Sequence, residues 1–214
     1  MHLSTGPKEN FSRPAINPLF RSAAAAYDSR VAGVILSGEL DDGVSGLWEL
    51  KRRGGIAIVQ DPAEAASPSM PRSAVGNVPA DYVVQISELA PLLVQLASSD
   101  EPPLMPPPND HSNRERSDLT CPECRGPLSE ERRGSLVEYS CRVGHVFTEQ
   151  TMLAVHRDAQ ERALWAAIVA LEEAAEMARN LAGRNCGERD RWLEEAAGKQ
   201  ENADLLRKVV NRNV

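Results

Sequence analysis

The sequence is poor in aromatic residues, with three Trp, three Tyr and three Phe among 214 residues. A surface that stacks bases on interleaved aromatic and basic side chains is therefore not expected. Positive charge is not in excess either. Lys and Arg total 24 against 31 Asp and Glu, a formal net charge of −7, which argues against a basic nucleic-acid clamp and a polybasic membrane binder. No apolar run approaches the roughly 18 residues of a spanning helix, so no membrane insertion is expected. The first ten residues are polar and lack the apolar stretch of a secretion signal. Four cysteines are too few for a disulfide scaffold in a chain of this length. These absences point to a cytoplasmic protein, and the length to about one or two domains.

What is present divides into segments. Residues 98–118 carry two basic and five acidic residues and five prolines, Pro102, Pro103, Pro106, Pro107 and Pro108. Such a stretch buries too little apolar surface to offset chain ordering and tends to stay extended. It is expected to be a linker between residues 1–97 and residues 119–214.

In the first segment three short runs, Val31–Ser37, Ile56–Gln60 and Tyr82–Ile86, are almost continuously apolar. Strands covered on both faces of a parallel sheet have this pattern. Helical stretches are expected at Pro14–Tyr27, Val44–Arg53 (stopped by Gly54 and Gly55) and Ser87–Leu96. The alternation predicts an open α/β layer fold, whose functional groups gather at the carboxyl ends of the strands. The chain leaving the first strand is Ser37-Gly38-Glu39-Leu40-Asp41-Asp42-Gly43. Its paired acids are candidates either for catalysis or for capping the helix that starts near Val44.

Three blocks give this segment a specific resemblance. Arg13-Pro14, followed by Leu19-Phe20-Arg21-Ser22-Ala23-Ala24, is the first. The second is Gly38 to Gly43 with Gly46-Leu47 and Lys51 to Gly55, and the third is Gln60-Asp61-Pro62 with Met70-Pro71-Arg72-Ser73-Ala74. In this order over about residues 6–97 they resemble the chemotaxis-type protein-glutamate methylesterases, the CheB-type family. The resemblance implies hydrolysis of glutamate methyl esters, and deamidation of glutamines, on methyl-accepting chemoreceptors by a Ser-His-Asp triad without a catalytic cofactor. Asp42 matches the triad aspartate, whose work is to orient the histidine and stabilise its imidazolium. Glu39 stands where the family commonly has an apolar residue, and Asn17 where it usually has Asp.

The family's nucleophile turn, G-x-S-x-G-G, does not occur in this sequence. Gly43-Val44-Ser45-Gly46-Leu47 lacks the final glycine and places Ser45 in the first turn of a helix. His2 is the histidine that precedes the aspartate loop, in a polar tail. The expected fold is therefore a partial doubly wound parallel sheet, the carboxyl-terminal half of a methylesterase domain over residues 1–97, inactive alone. An uncovered sheet edge invites self-association or pairing with a complementary fragment.

In the second segment Cys121, Cys124, Cys141 and His145 follow C-x2-C-x16-C-x3-H. Paired sulfur and nitrogen donors at this spacing suit one structural zinc per chain, held by a small knuckle over residues 119–148. Redox use of the C-x2-C pair is the alternative. Residues 149–214 carry apolar residues at three- and four-residue spacing: Leu164, Ile168, Leu171, Ala175 and Ala178, then Leu193, Ala196, Ala203, Leu206 and Val210. Around the Gly183–Gly187 turn this predicts an antiparallel helical hairpin. The zinc-plus-helix tail resembles tails of some receiver-less members of the same family. The alternative function for the chain is a non-catalytic, zinc-containing protein-interaction module.

Overall fold

Three apolar runs of the first segment pair side by side as parallel strands. The computed structural model describes residues 5–98, 108, 113–184 and 186–212, so His2, His111 and most of the expected linker lie outside the described residues. Strands β1 (Ala32–Ile35), β2 (Ile56–Gln60) and β3 (Tyr82–Val84) form a sheet in the order β1-β2-β3. Register runs from Ala32 opposite Ile56 to Ile35 opposite Val59, and from Ile58 opposite Tyr82 to Gln60 opposite Val84. Ala57, Ile58 and Val59 are consecutive and buried, the pattern of a strand covered on both faces. The strand order advances in one direction only. A doubly wound sheet needs a reversal, which requires a strand on the far side of β1, and the described sheet contains none.

The helices are α1 (Ile16–Tyr27), α2 (Val44–Arg52), α3 (Ser69–Asn77) and α4 (Ile86–Ser98). Phe20, Ala24, Val44, Leu47, Trp48, Leu50 and Ala74 from α1–α3 pack with Ile35, Ala57 and Val59 of the sheet. Helix α1 lies so close on α2 that a Cβ at Gly46 would stand 2.7 Å from the Asn17 carbonyl oxygen. Any side chain there would force the helices apart, and the Gly46 amide uses the closeness to donate to Asn17 Oδ1 at 2.7 Å. By contrast α4 has no buried residue, and Val83, Ile86 and Val94 are exposed. Helix α3 has no counterpart among the expected helices.

A second, antiparallel sheet follows, of β4 (Asn113–Thr120), β5 (Pro127–Arg133), β6 (Leu136–Cys141) and β7 (Val146–Thr148) in sequential order. This corrects the sequence expectation in two respects. The knuckle is a four-stranded sheet, and residues 113–118, assigned to the linker, are strand paired to β5. Strand β4 is exposed almost throughout, so nothing in its hydropathy marked it. The first compact unit runs Met1–Met152 and holds both sheets, with Leu136 of β6 buried in the core of the α/β layer. Residues 1–97 and 119–148 thus share one unit.

The second compact unit is Leu153–Val214. It contains most of α5 (Glu149–Arg184) and all of α6 (Arg189–Val210). Ile168 packs with Ala203 and Val210, flanked by Leu164, Leu171 and Leu206. Arg179 bonds Gln200 and Arg207 bonds Glu172, so the two helices run antiparallel. No helix among the described residues is long and apolar enough to cross a membrane.

One buried ion pair ties the parallel sheet to its helices. Lys51 Nζ of α2 lies 2.7 and 2.8 Å from the Asp81 carboxylate oxygens, with side chains 1% and 0% exposed. Asp81 also accepts from the Ala57 amide at 2.8 Å. Removing one partner leaves a charge stranded in the core. Asp81→Ala is therefore expected to destabilise the first unit by about 3–5 kcal/mol, read from the denaturant midpoint at constant slope. A loss under about 1 kcal/mol would contradict this account.

Candidate functional site

The loop after β1 is pinned from both sides. Gly38 donates to the Ser67 carbonyl at 2.9 Å, Met70 donates to the Gly38 carbonyl at 3.0 Å, and Ser69 Oγ donates to the Leu40 carbonyl at 3.1 Å. Gln60 Oε1, at the end of β2, accepts from the Ser37 amide at 2.8 Å. These bonds anchor the Ser37–Gly43 segment against the chain leading into α3. They explain why the Gln60-Asp61-Pro62 and Met70-Pro71 blocks accompany the acidic loop. Leu40 takes φ +59°, a conformation uncommon for a side chain of this size.

Asp42 is half-buried at the carboxyl edge of β1 and caps a helix, but not the neighbouring one. Its Oδ2 accepts from the Ile16 amide at 2.7 Å and its Oδ1 from the Asn17 amide at 3.4 Å. Ala15, the residue before α1, has no side-chain acceptor, so the first amides of that helix are satisfied from 26 residues downstream. Helix α2 has no side-chain cap of its own, because Gly43 stands there with φ +93°, and its Gly46 amide is satisfied by Asn17 of α1. A Cβ on Gly43 would meet Ile16 Cγ2 at 2.7 Å. The glycine thus lets the Asp42 loop close onto α1.

Asp41 faces the other way and is 3% exposed. Its Oδ1 accepts from Thr148 Oγ1 at 2.6 Å and Thr151 Oγ1 at 3.2 Å. Burial pushes its carboxyl above the ordinary 3.8; the two hydroxyls pull part of the way back, and Asp42 adds a smaller push upward. Thr148 also donates its amide to Asn10 Oδ1 at 3.1 Å, and Asn10 donates its own amide to the Val146 carbonyl at 2.9 Å. None of these partners was singled out in the sequence, where they are 107 to 138 residues apart.

Ser45 is fully buried in the first turn of α2, so it cannot meet a substrate. Beside the acidic loop lies an open cleft of about 530 Å³, lined among others by Glu39, Ser69, Arg72 and Ser73. Glu39 and Arg72 put opposite charges at its walls.

The four predicted metal ligands converge. Cys121 leads into the turn after β4, and its amide donates to the Gly126 carbonyl at 2.8 Å; Cys141 ends β6 and is bonded across a short turn to Gly144 and His145. The four donor atoms lie within 4.8 Å of one another. Cys124 Sγ is 3.7 Å from Cys141 Sγ, and His145 Nδ1 is 3.7 Å from Cys121 Sγ and 3.5 Å from Cys141 Sγ. A tetrahedral zinc, about 2.3 Å from sulfur and 2.1 Å from nitrogen, places its ligand atoms about 3.6–3.8 Å apart. The cluster therefore fits such an ion and can hold one. Burial pushes the Cys121 thiol up to about 11. At Cys141 burial acts the same way, but hydrogen bonds from His145, Cys124 and Gly144 outweigh it and bring the thiol down to about 6.

Taken together, residues 5–98 are a segment of an open parallel α/β domain with acidic and polar groups gathered at one sheet edge. Residues 1–93 match the family model described as CheB methylesterase, and the resemblance read from the three sequence blocks is to that family. A protein of Leptospira interrogans serogroup Icterohaemorrhagiae serovar copenhageni, provisionally named protein-glutamate methylesterase/protein-glutamine glutaminase, is 44% identical over 93 residues. The match covers 44% of this chain and 48% of that one. Protein-glutamate methylesterase/protein-glutamine glutaminase 2 of Methanosarcina mazei is 40% identical over 96 residues, 45% of this chain and 26% of the other. The catalytic domain of Thermotoga maritima CheB methylesterase is similar in structure at 33% identity and a TM-score of 0.38, over 39% of this chain and 44% of that one. The chain thus spans at most about half the length of these relatives, and the Cys/His sheet and α6 lie beyond the residues the family model matches.

The burial of Asp41 has a consequence for pH. Its folded carboxyl holds a proton where the unfolded one has lost it, so its contribution to stability is largest below 3.8 and is lost as pH rises through the raised folded value. Asp41→Asn removes that slope. As pH rises from the ordinary carboxylate range through the raised folded value, the stability difference is expected to move in favour of the variant and then to level off. Denaturant titrations showing a difference independent of pH would reject this assignment.

Proposed function

We propose that this chain serves chemotaxis-type methylesterase and glutaminase chemistry, with Asp42 as the aspartate of a Ser-His-Asp triad acting on methyl-accepting chemoreceptors in the cytoplasm. The observation that carries the reading is the setting of Asp42. It is half-buried at the carboxyl edge of β1, held by two backbone amides of α1, in a segment that matches the family model. An ionised carboxylate has about four acceptor positions, and the two amides leave room for a histidine N–H. The aspartate then holds the imidazole in the tautomer that accepts the serine proton, and stabilises the imidazolium that forms.

No G-x-S-x-G-G turn occurs in the 214 residues, so serine and histidine come from a complementary segment. That segment would lie against the exposed β3–α4 side or beyond the edge of β1 that no described strand pairs, and self-association is the competing outcome. Without the complement the chain is inactive. The Cys121, Cys124, Cys141 and His145 cluster holds one structural zinc. With four protein ligands the ion would have no open position for substrate, so its contribution would be folding free energy. The second reading, a non-catalytic interaction module, rests on that same cluster and on the exposed apolar residues of α5 and α6, such as Trp165, Met177 and Leu205.

Two measurements test these readings. Mixed with a polypeptide bearing the serine turn and histidine, the chain should support methyl-ester hydrolysis, and Asp42→Asn should lower kcat on the order of 10³–10⁴-fold. Equal turnover by the variant would remove the catalytic role, and no hydrolysis by either mixture would favour the interaction module. Elemental analysis of natively purified protein should find about one zinc per chain, lost in Cys124→Ser.

A further inference from the structure

We infer that Thr148, Thr151 and Asp41 are positioning residues through which occupancy of the Cys/His site sets the placement of the Asp42 carboxylate. The inference rests on the proposal that the cluster holds a metal ion, and it adds a role for that ion beyond folding energy. The route is short and covalent for most of its length. His145 is followed by Val146, Phe147 and Thr148, the whole of β7. Thr148 Oγ1 donates to Asp41 Oδ1 at 2.6 Å, and the Thr151 amide and hydroxyl close the group by bonding Thr148 Oγ1 at 3.3 Å and Asp41 Oδ1 at 3.2 Å. Asp41 is bonded through the chain to Asp42, whose oxygens hold the Ile16 and Asn17 amides.

Strand β7 has few anchors: β6, Asn10, which bonds Val146 and Thr148, and the buried side chain of Phe147. It is three residues long and pairs with β6 over three positions, with a single bridge from Glu9 to Val146 on its other side. It is joined to β6 through the Cys141–His145 turn, whose ends are two of the four donors. A metal there ties this turn to Cys121 and Cys124 in the β4–β5 turn at the same end of the sheet. Release of the metal frees the turn and leaves β7 to its pairing with β6, to Asn10 and to Phe147, so the strand shifts. Thr148, Thr151 and Asp41 are 1%, 1% and 3% exposed, so water does not replace a lost hydroxyl without the loop opening. A buried carboxylate deprived of its donors is strongly unfavourable, and the loop relaxes by moving Asp41 toward solvent. Asp42, its neighbour, then leaves α1.

The test is amide hydrogen exchange by NMR on the whole chain, with zinc bound and after chelation, with metal content measured in parallel. Chelation is expected to speed exchange at Ile16 and Asn17 by at least about tenfold, the size of one lost charge-assisted hydrogen bond. It should also shift the Asp42 carboxyl ¹³C resonance, while Ile58 and Val59 in β2 stay protected. Thr148→Val/Thr151→Val should bind one zinc yet show the fast exchange with the metal in place, and Thr148→Ser/Thr151→Ser should restore the slow one. If zinc leaves and Ile16 and Asn17 do not change, the coupling is overturned while the metal reading stands. If β2 loses protection together with them, the metal is a plain folding requirement and the positioning role is overturned. Finding no zinc on the native protein overturns both.

Discussion

Burial of one carboxylate organises the first unit. Asp41 has almost no access to water, and a carboxyl group in that position needs donors that its own neighbourhood does not provide. They arrive from Thr148 and Thr151, more than a hundred residues later. The second sheet therefore has to be in place before the loop after β1 is satisfied. Around this contact lie Phe11 against Phe147, at 4.9 Å between ring centroids, and the Arg133 guanidinium 5.7 Å from the Trp48 ring. Two segments that look independent in composition are joined in one compact unit.

Adjacent acids with opposite surroundings divide the work of the loop. Asp41 is held by hydroxyls in the interior, whereas Asp42 sits near the surface on the positive end of α1, where backbone amides favour a negative charge. Gly43 makes the division possible, since its left-handed backbone turns the chain between the acids and α2 while leaving room for Ile16. Gly46 performs a related task one turn later by letting α1 approach α2 closely enough for Asn17 to bond its amide. The glycines in this block thus serve the placement of α1, and through it the placement of Asp42.

Legibility in the sequence followed hydrophobic contrast. The three parallel strands carry dense apolar runs and helix α2 stops at Gly54-Gly55, and all four lie within a few residues of the expected limits. Helix α3 was missed because Pro71, Ser73 and Ala74 are the residues it buries, and none of them makes a periodic apolar signal. Residues 113–118 of strand β4 read as linker because they are charged and solvent-facing; pairing with β5 creates the strand, as in Arg114 opposite Glu131. The convergence of Cys121, Cys124, Cys141 and His145 was legible because knuckle spacing is local and chemically restrictive.

The residue sequence alone determined the parallel α/β character of the first segment, the motif blocks around Asp42, and the four donors that converge in the Cys/His cluster. Each depends on residues close together in the chain, where periodicity and spacing act directly. Tertiary structure decided that Asp42 caps α1 and not α2, that Asp41 is buried, and that Asn10, Thr148 and Thr151 hold its loop. Those outcomes follow from which polar groups are buried together, and burial is a property of the folded surface that no short stretch of sequence carries.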